Sequence, residues 1–231
     1  MTVAHAVNAS LYRNLSYDLV RDFAPVTRLV STPLVIVVNP SWPAKSISEL
    51  VNLARAKPGT INYASAGVGR PTHLAPELFK KQAGVDLVHV PYKGGSEAQT
   101  SVLAGETSVY FANVGTALPF IQAGRLRALA VTSAKRLSSL PECPTVAESG
   151  YPSYQAESWF GLLVPVKTPK EIIATIRVAT ISALNNPDVS KRLTELEYIL
   201  IGDQPEEFGA YIKSEIATWG ELIRELRLTA D

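Results

Sequence analysis

The chain is poor in residues that cross-link or hold metals, with one cysteine, Cys143, and three histidines among 231 residues. A lone cysteine excludes an intramolecular disulfide and a cysteine-rich metal centre, and it suits cytosol or periplasm equally. His5, His73 and His89 have no metal-site spacing, so no metal or cofactor is expected. Charge of one sign is also scarce. Basic and acidic residues nearly balance at +1, and no block of like charge appears, which argues against nucleic acid and membrane surfaces as partners. No apolar run approaches a membrane span. Residues 1–7 lack the basic and apolar regions of a signal peptide, and the chain reads as a soluble protein.

What is present is an α/β alternation punctuated by glycine and proline. Residues 8–23 read as a short helical turn and a loop. Residues 26–39 read as a long strand interrupted at Thr32-Pro33, where proline removes a ladder donor. Ser46-Ile-Ser-Glu49 is a capping box that opens an amphipathic helix. Residues 61–65, 87–90, 108–112 and 127–131 then read as strands separated by helices over 72–83, 96–104 and 116–123, an order that argues for parallel pairing. Gly84, Gly105 and Gly124 stand where left-handed caps belong. Pro76 is acceptable if its helix begins near Thr72, so that proline falls in the first turn. After a turn-rich passage over 132–154, with a short helical piece at 146–149, residues 158–165 read as a strand returning across a lobe boundary. Thr168-Pro-Lys-Glu171 reads as a capping box with an N1 proline. Asn186-Pro187 opens another helix, 198–201 is a short strand, and Gln204-Pro-Glu-Glu begins a final helix. Its Phe208, Tyr211, Ile212, Ile216, Trp219 and Ile223 form a core stripe.

Three strand-to-helix loops reach the carboxyl edge of such a sheet, the place where open α/β sheets bind ligands. The first, residues 62–73, combines Ser65, Ala66, Gly67, Gly69, Arg70, Thr72 and His73. Its glycines let the backbone approach a ligand, and a helix N-terminus with free N–H groups favours a carboxylate or another small anion. The second carries Tyr92, Lys93, Gly94 and Gly95, and the third carries Asn113. Arg70 and Lys93 are either anion contacts or solvated charges. Tyr92 offers a ring wall and a hydroxyl, or covers core. Asn113 suits a carboxylate or an amide, or caps the helix over 116–123. His73 reads as a neutral hydrogen-bonded or packing residue rather than a base. Trp159 and Phe160 read as core that could also wall a cleft. Ser65 lacks the Gly-x-Ser-x-Gly setting of a nucleophile elbow, and no histidine follows in triad order, so serine hydrolysis is not expected.

Asn62-Tyr-Ala-Ser-Ala-Gly-Val-Gly69 followed by His73-Leu-Ala, then Val88-His-Val-Pro-Tyr-Lys-Gly94, Leu126-Arg-Ala-Leu-Ala-Val-Thr-Ser-Ala-Lys-Arg136, Pro144-Thr-Val-Ala-Glu-Ser-Gly150 and Ser158-Trp-Phe-Gly-Leu-Leu163, closely resemble the Bug family. These are the substrate-binding receptors of tripartite tricarboxylate transporters. The resemblance spans nearly the whole chain. It implies a two-lobed, Venus-flytrap periplasmic binding protein that captures a small carboxylate, often through ordered waters, and presents it to membrane transporter subunits without catalysis. It also implies that residues 65–73, 92–95 and 113 form the carboxylate clamp of the second lobe, although Asn113 stands where many relatives have aspartate. By the same resemblance Met1 aligns inside the first lobe. The expected organisation is a first lobe of 1–38 plus 157–231, incomplete, and a second lobe of 39–156. Exposed sheet edges in the incomplete lobe would then be covered by another chain, such as a homo-oligomer partner. An α/β enzyme acting on a small acidic substrate, or a degenerate oligomeric interaction module, are the alternatives.

Overall fold

The computed structural model describes residues 1–12 and 14–228, which divide into two units, Met1–Thr32 with Ser158–Asp231, and Pro33–Glu157. Helix α1 (Val3–Leu11) buries Val3, Ala6, Val7 and Leu11, the face of an amphipathic helix. It begins well before the turn expected at Asn8. His5 helps to start it, because the Thr2 N–H donates to His5 Nδ1 at 3.2 Å.

Strand β1 (Phe23–Val38) runs unbroken through Pro25 and Pro33, against the interruption expected at Thr32-Pro33. The reason lies in its partners. Val30 and Ser31 pair with one strand near the C-terminus, whereas pairing with another strand of the second unit starts at Leu34. Pro33 falls between these two ladders, so neither calls on the N–H that proline lacks. From Leu34 to Val38 every side chain is fully buried, the continuous apolar run of a strand covered on both faces.

In the second unit, α2 (Ile47–Ala56) starts at Ser46, whose hydroxyl accepts from the Glu49 N–H at 3.2 Å. The Glu49 carboxylate takes the Lys45 N–H at 2.6 Å rather than that of Ser46, so the expected capping box closes one residue further out. Then come β2 (Asn62–Ser65), α3 (Pro71–Ala83), β3 (Val88–Pro91), α4 (Gly95–Leu103), β4 (Val109–Asn113), α5 (Val114–Gln122) and β5 (Arg127–Val131). Helix α3 ends as expected on Gly84, in the left-handed region at φ 60°. Pro76, however, lies inside α3 and past its first turn, because the helix already starts at Pro71. The expected helical piece at 146–149 is a turn.

The strand order here is β3-β2-β4-β1-β5. Strand β2 is parallel to β3 and β4, whereas β1 lies antiparallel between β4 and β5. The all-parallel expectation is therefore corrected. The alternation from β2 to β5 hides a strand that arrives from far upstream and needs no crossover helix. One face packs Val35, Val37, Tyr110 and Ala112 on Ala98 and Val102 of α4. On the other, Phe79 of α3 meets Phe111 at 5.9 Å and Tyr154 at 6.1 Å.

The remaining elements are β6 (Glu157–Pro165), α6 (Lys170–Leu184), α7 (Pro187–Glu195), β7 (Ile199–Leu200) and α8 (Pro205–Glu225), with β6 and β7 both pairing with β1. Trp159 is fully buried among Phe208 and Tyr211, which makes it core, while Phe160 is 37% exposed. The Trp159 and Trp219 indoles both donate to Glu215 Oε2, at 2.7 and 3.0 Å. The Asn186 side chain caps α7 by accepting from the Asp188 and Val189 N–H groups. At α6 the expected capping box does not form: Pro169 is itself the cap residue and the helix begins at Lys170. No residue of α6 is buried, and Ile172 and Val178 are 49% and 67% exposed.

Candidate functional site

The parallel register of β3, β2 and β4 brings their carboxyl ends to one edge, so the three loops singled out in the sequence meet there. Ala64 stands opposite both Val90 and Tyr110. The first two loops are stitched together, with the Tyr92 N–H donating to the Ser65 carbonyl at 3.0 Å. Gly67, at φ 121°, lies so close to the second loop that an added Cβ would sit 3.7 Å from the Tyr92 carbonyl oxygen. Asn113 ends β4 on the same side, paired in register with Leu34.

Most backbone donors of the first loop are already taken, and this corrects the sequence reading. The Ala66 N–H donates to Thr72 Oγ1 at 2.9 Å, that of Gly67 to Ser65 Oγ at 3.1 Å and that of Gly69 to His73 Nδ1 at 3.1 Å. The Arg70 N–H donates to the Gly67 carbonyl at 3.4 Å. The loop is folded onto its own side chains. Ser65, Gly69, Thr72 and His73 are buried, whereas Val68 and Arg70 are exposed.

Beneath the loop lies a stack of rings. His73 and His89 face each other at 4.0 Å and 20°, and Tyr63 stacks on His89 at 5.0 Å. Ser65 Oγ is 2.6 Å from His89 Nε2. The Tyr63 hydroxyl donates to Glu77 at 2.5 Å, and Lys80 pairs with the same carboxylate oxygen at 2.9 Å. Burial, then His89 and Lys80, hold His73 down at about 3, and burial lowers His89 as well. Burial and the Glu77 charge push the Tyr63 hydroxyl well above its ordinary value. Both imidazoles are therefore neutral near pH 7. Ser65 next to His89 resembles a nucleophile and its base, yet Ser65 is completely buried and its oxygen already accepts the Gly67 N–H. The pair supports the loop.

Facing solvent are Arg70, Lys93, Gly95 and Asn113, with Tyr92 and Gly94 half-buried. The Asn113 side chain makes no cap hydrogen bond, and its backbone carbonyl accepts from Thr116 Oγ1. The capping alternative for that side chain is thus set aside. Sequence reasoning missed His89 as a member of the cluster, since only the β2–β3 register, which sets His89 opposite Tyr63, brings it there. Among the described residues no group of three His, Cys, Asp or Glu could hold a metal, and no helix is long and apolar enough to cross a membrane.

The family model described as the tripartite tricarboxylate transporter family receptor matches residues 1–228. A UPF0065 protein from the tcbD-tcbE intergenic region of Pseudomonas sp. (strain P51) is 37% identical over 97% of this chain and 67% of its own length. BugT of Bordetella pertussis is 32% identical over 95% of this chain and 68% of its own. Among solved structures, R. palustris Rpa4515 with adipate is 33% identical at a TM-score of 0.84, covering 97% of this chain and 75% of that one. The periplasmic binding protein BugD is 28% identical at 0.83, covering 99% and 77%. With its α/β architecture and a match over nearly its whole length, the chain belongs to the tripartite tricarboxylate transporter receptor family and shares the fold of its two-lobed periplasmic binding proteins.

Proposed function

We propose that the chain is a periplasmic solute-binding receptor that captures a small carboxylate and presents it to membrane subunits of a tripartite tricarboxylate-type transporter, making and breaking no covalent bond. One observation carries this reading: the exposed Arg70, Lys93 and Asn113 and the half-buried Tyr92 all lie on loops at the carboxyl edge of β3-β2-β4. Cations and amides there suit an anion of few atoms. Ser65, Ala66, Gly67, Gly69, Thr72 and His73 shape the loop, and Gly94 and Gly95 let the second loop come close. Relatives solved with adipate and with malate support the carboxylate class. On this reading Pro33–Glu157 is the lobe that bears the clamp. The chain spans about two-thirds of the length of the curated relatives, and the proposal includes an opposing half of the clamp supplied by residues outside this match, with weakened binding by this chain alone.

Calorimetric titration with acetate, malate and adipate tests the reading. The comparison is between this chain and the same chain preceded by the unmatched part of the Pseudomonas relative. Dicarboxylate binding by the extended protein, weaker in the short one, is expected. No binding by either, or conversion of the ligand to a product, rejects the proposal.

Helix α6 favours a second reading, self-association. A helix of 15 residues that buries none, bordering a concavity of about 810 Å³ lined by Phe23, Leu163 and Ile173, offers an apolar face to a second copy.

A further inference from the structure

The carboxylate reading leaves unexplained why a buried histidine, His73, and a half-buried one, His89, lie face to face under the loop instead of pointing at the ligand. Three backbone N–H groups of the loop end on side chains, at Ser65 Oγ, Thr72 Oγ1 and His73 Nδ1. Two of these acceptors are hydroxyls, which can turn to donate or accept. The third is an imidazole nitrogen, which accepts only when it carries no proton. The Gly69 bond therefore fixes the state of the ring: His73 is neutral with its proton on Nε2.

The surroundings hold it there. His89 of β3 stacks directly on His73, with Ser65 Oγ at 2.6 Å from its Nε2. Two imidazolium rings at 4.0 Å would repel each other, the more so because one of them, His73, is buried. The other titratable groups packed around the stack are Tyr63 of β2 and Glu77 and Lys80 of α3. These three satisfy one another through a hydrogen bond and an ion pair. Glu77 is therefore already engaged and does not call for a cationic His73.

We propose that His73 is a positioning residue, whose neutral Nδ1 anchors the Gly69 amide and so holds the β2–α3 loop in its binding shape before any ligand arrives. His89 serves this role from the second rank, by locking Ser65 and by stacking on His73. Gly69 is buried at φ 73°. Without the anchor this left-handed turn can relax, and Arg70, the next residue, loses its fixed place at the edge. A preformed loop binds more tightly because less freedom is lost on binding. The inference rests on the carboxylate reading only for what the loop is shaped to bind. The anchoring itself can be measured without a ligand.

The test uses the full chain, its His73→Asn and its His73→Leu variants. Asparagine can place Oδ1 where the imidazole has Nδ1, while leucine fills space without an acceptor. The first readout is hydrogen exchange at the Gly69 amide by NMR, and the second is malate affinity by calorimetry. Exchange should be slow in wild type and His73→Asn and about tenfold faster in His73→Leu. Malate affinity should drop about tenfold in His73→Leu only. Equal Gly69 exchange in all three proteins overturns the proposal, whatever malate does. The expected exchange order with no malate binding by any of them, nor by the extended protein, upholds the anchor and rejects the carboxylate reading instead. If His73→Leu does not fold, the imidazole nitrogen shifts of wild type decide: a bare Nδ1 and protonated Nε2 support the anchor, and the opposite tautomer overturns it.

Discussion

His73 titrates against the fold. Its value of about 3 lies below the ordinary 6.5 of an unfolded histidine, so the unfolded chain takes up the proton first. Stability is then full above the ordinary value, falls as pH drops through it, and stops falling on this account near 3. His89 acts in the same direction. Lys80 disfavours the added proton at both rings and Glu77 favours it at His89. Urea unfolding at pH 7, 5.5 and 4.5 should show a midpoint that declines with acid, and His73→Asn should decline less, by the linkage of about one proton. Parallel curves for the two proteins would mean that His73 does not titrate in this range. At this scale the sequence was legible in part. Ser65 and Thr72 read as ligand contacts and His73 as a neutral hydrogen-bonded or packing residue, and all three belong to the loop. What they contact is the loop itself, because a serine, threonine or histidine beside a tight turn finds its nearest donors in that turn. Nothing in a linear sequence says which way an amide points.

Among the elements, β6 and α8 meet at one glycine. A Cβ on Gly161 would lie 2.1 Å from Phe208 Cζ, so the strand can touch the buried ring only because it has no side chain there. Gly161→Ala is expected to cost about 2–3 kcal/mol, measured by chemical denaturation. A smaller effect would show that the Phe208 ring turns aside without penalty. The elements themselves were mostly readable, since local chemistry sets them. Asn186-Pro187 caps α7 and Gly84 ends α3 as their residues dictate. Where two local signals compete, the outcome was not readable: Thr168 and Glu171 suggest a cap, but α6 begins at Lys170. Pairing was less legible than identity. Strand β1 lies antiparallel to β4, β5 and β7, partners far from it in sequence, and no periodicity within β1 records the direction of a neighbour.

Over the whole molecule a net charge of +1 provides little long-range attraction for an anion. Carboxylate capture should depend on Arg70 and Lys93 at short range, and Arg70→Gln with Lys93→Gln should weaken malate binding about tenfold or more with the fold intact. Calorimetry beside circular dichroism checks this, and unchanged affinity in the double variant would move the clamp elsewhere. The exposed apolar side of α6 gives another expectation at this scale. Sedimentation should show association that grows with concentration and is reduced by Val178→Lys, whereas a monomer at all concentrations removes the self-association reading. Pro33, finally, does more than fit between two ladders. A strand with an even-numbered repeat can slide by two residues and still point every side chain to the same face. Such a slide would set Pro33 in the place of Val35, opposite Ala112, where the ladder needs a donor that proline lacks. The residue that looked like a break is a stop, and it keeps a valine-rich strand of 16 residues from slipping forward along β4.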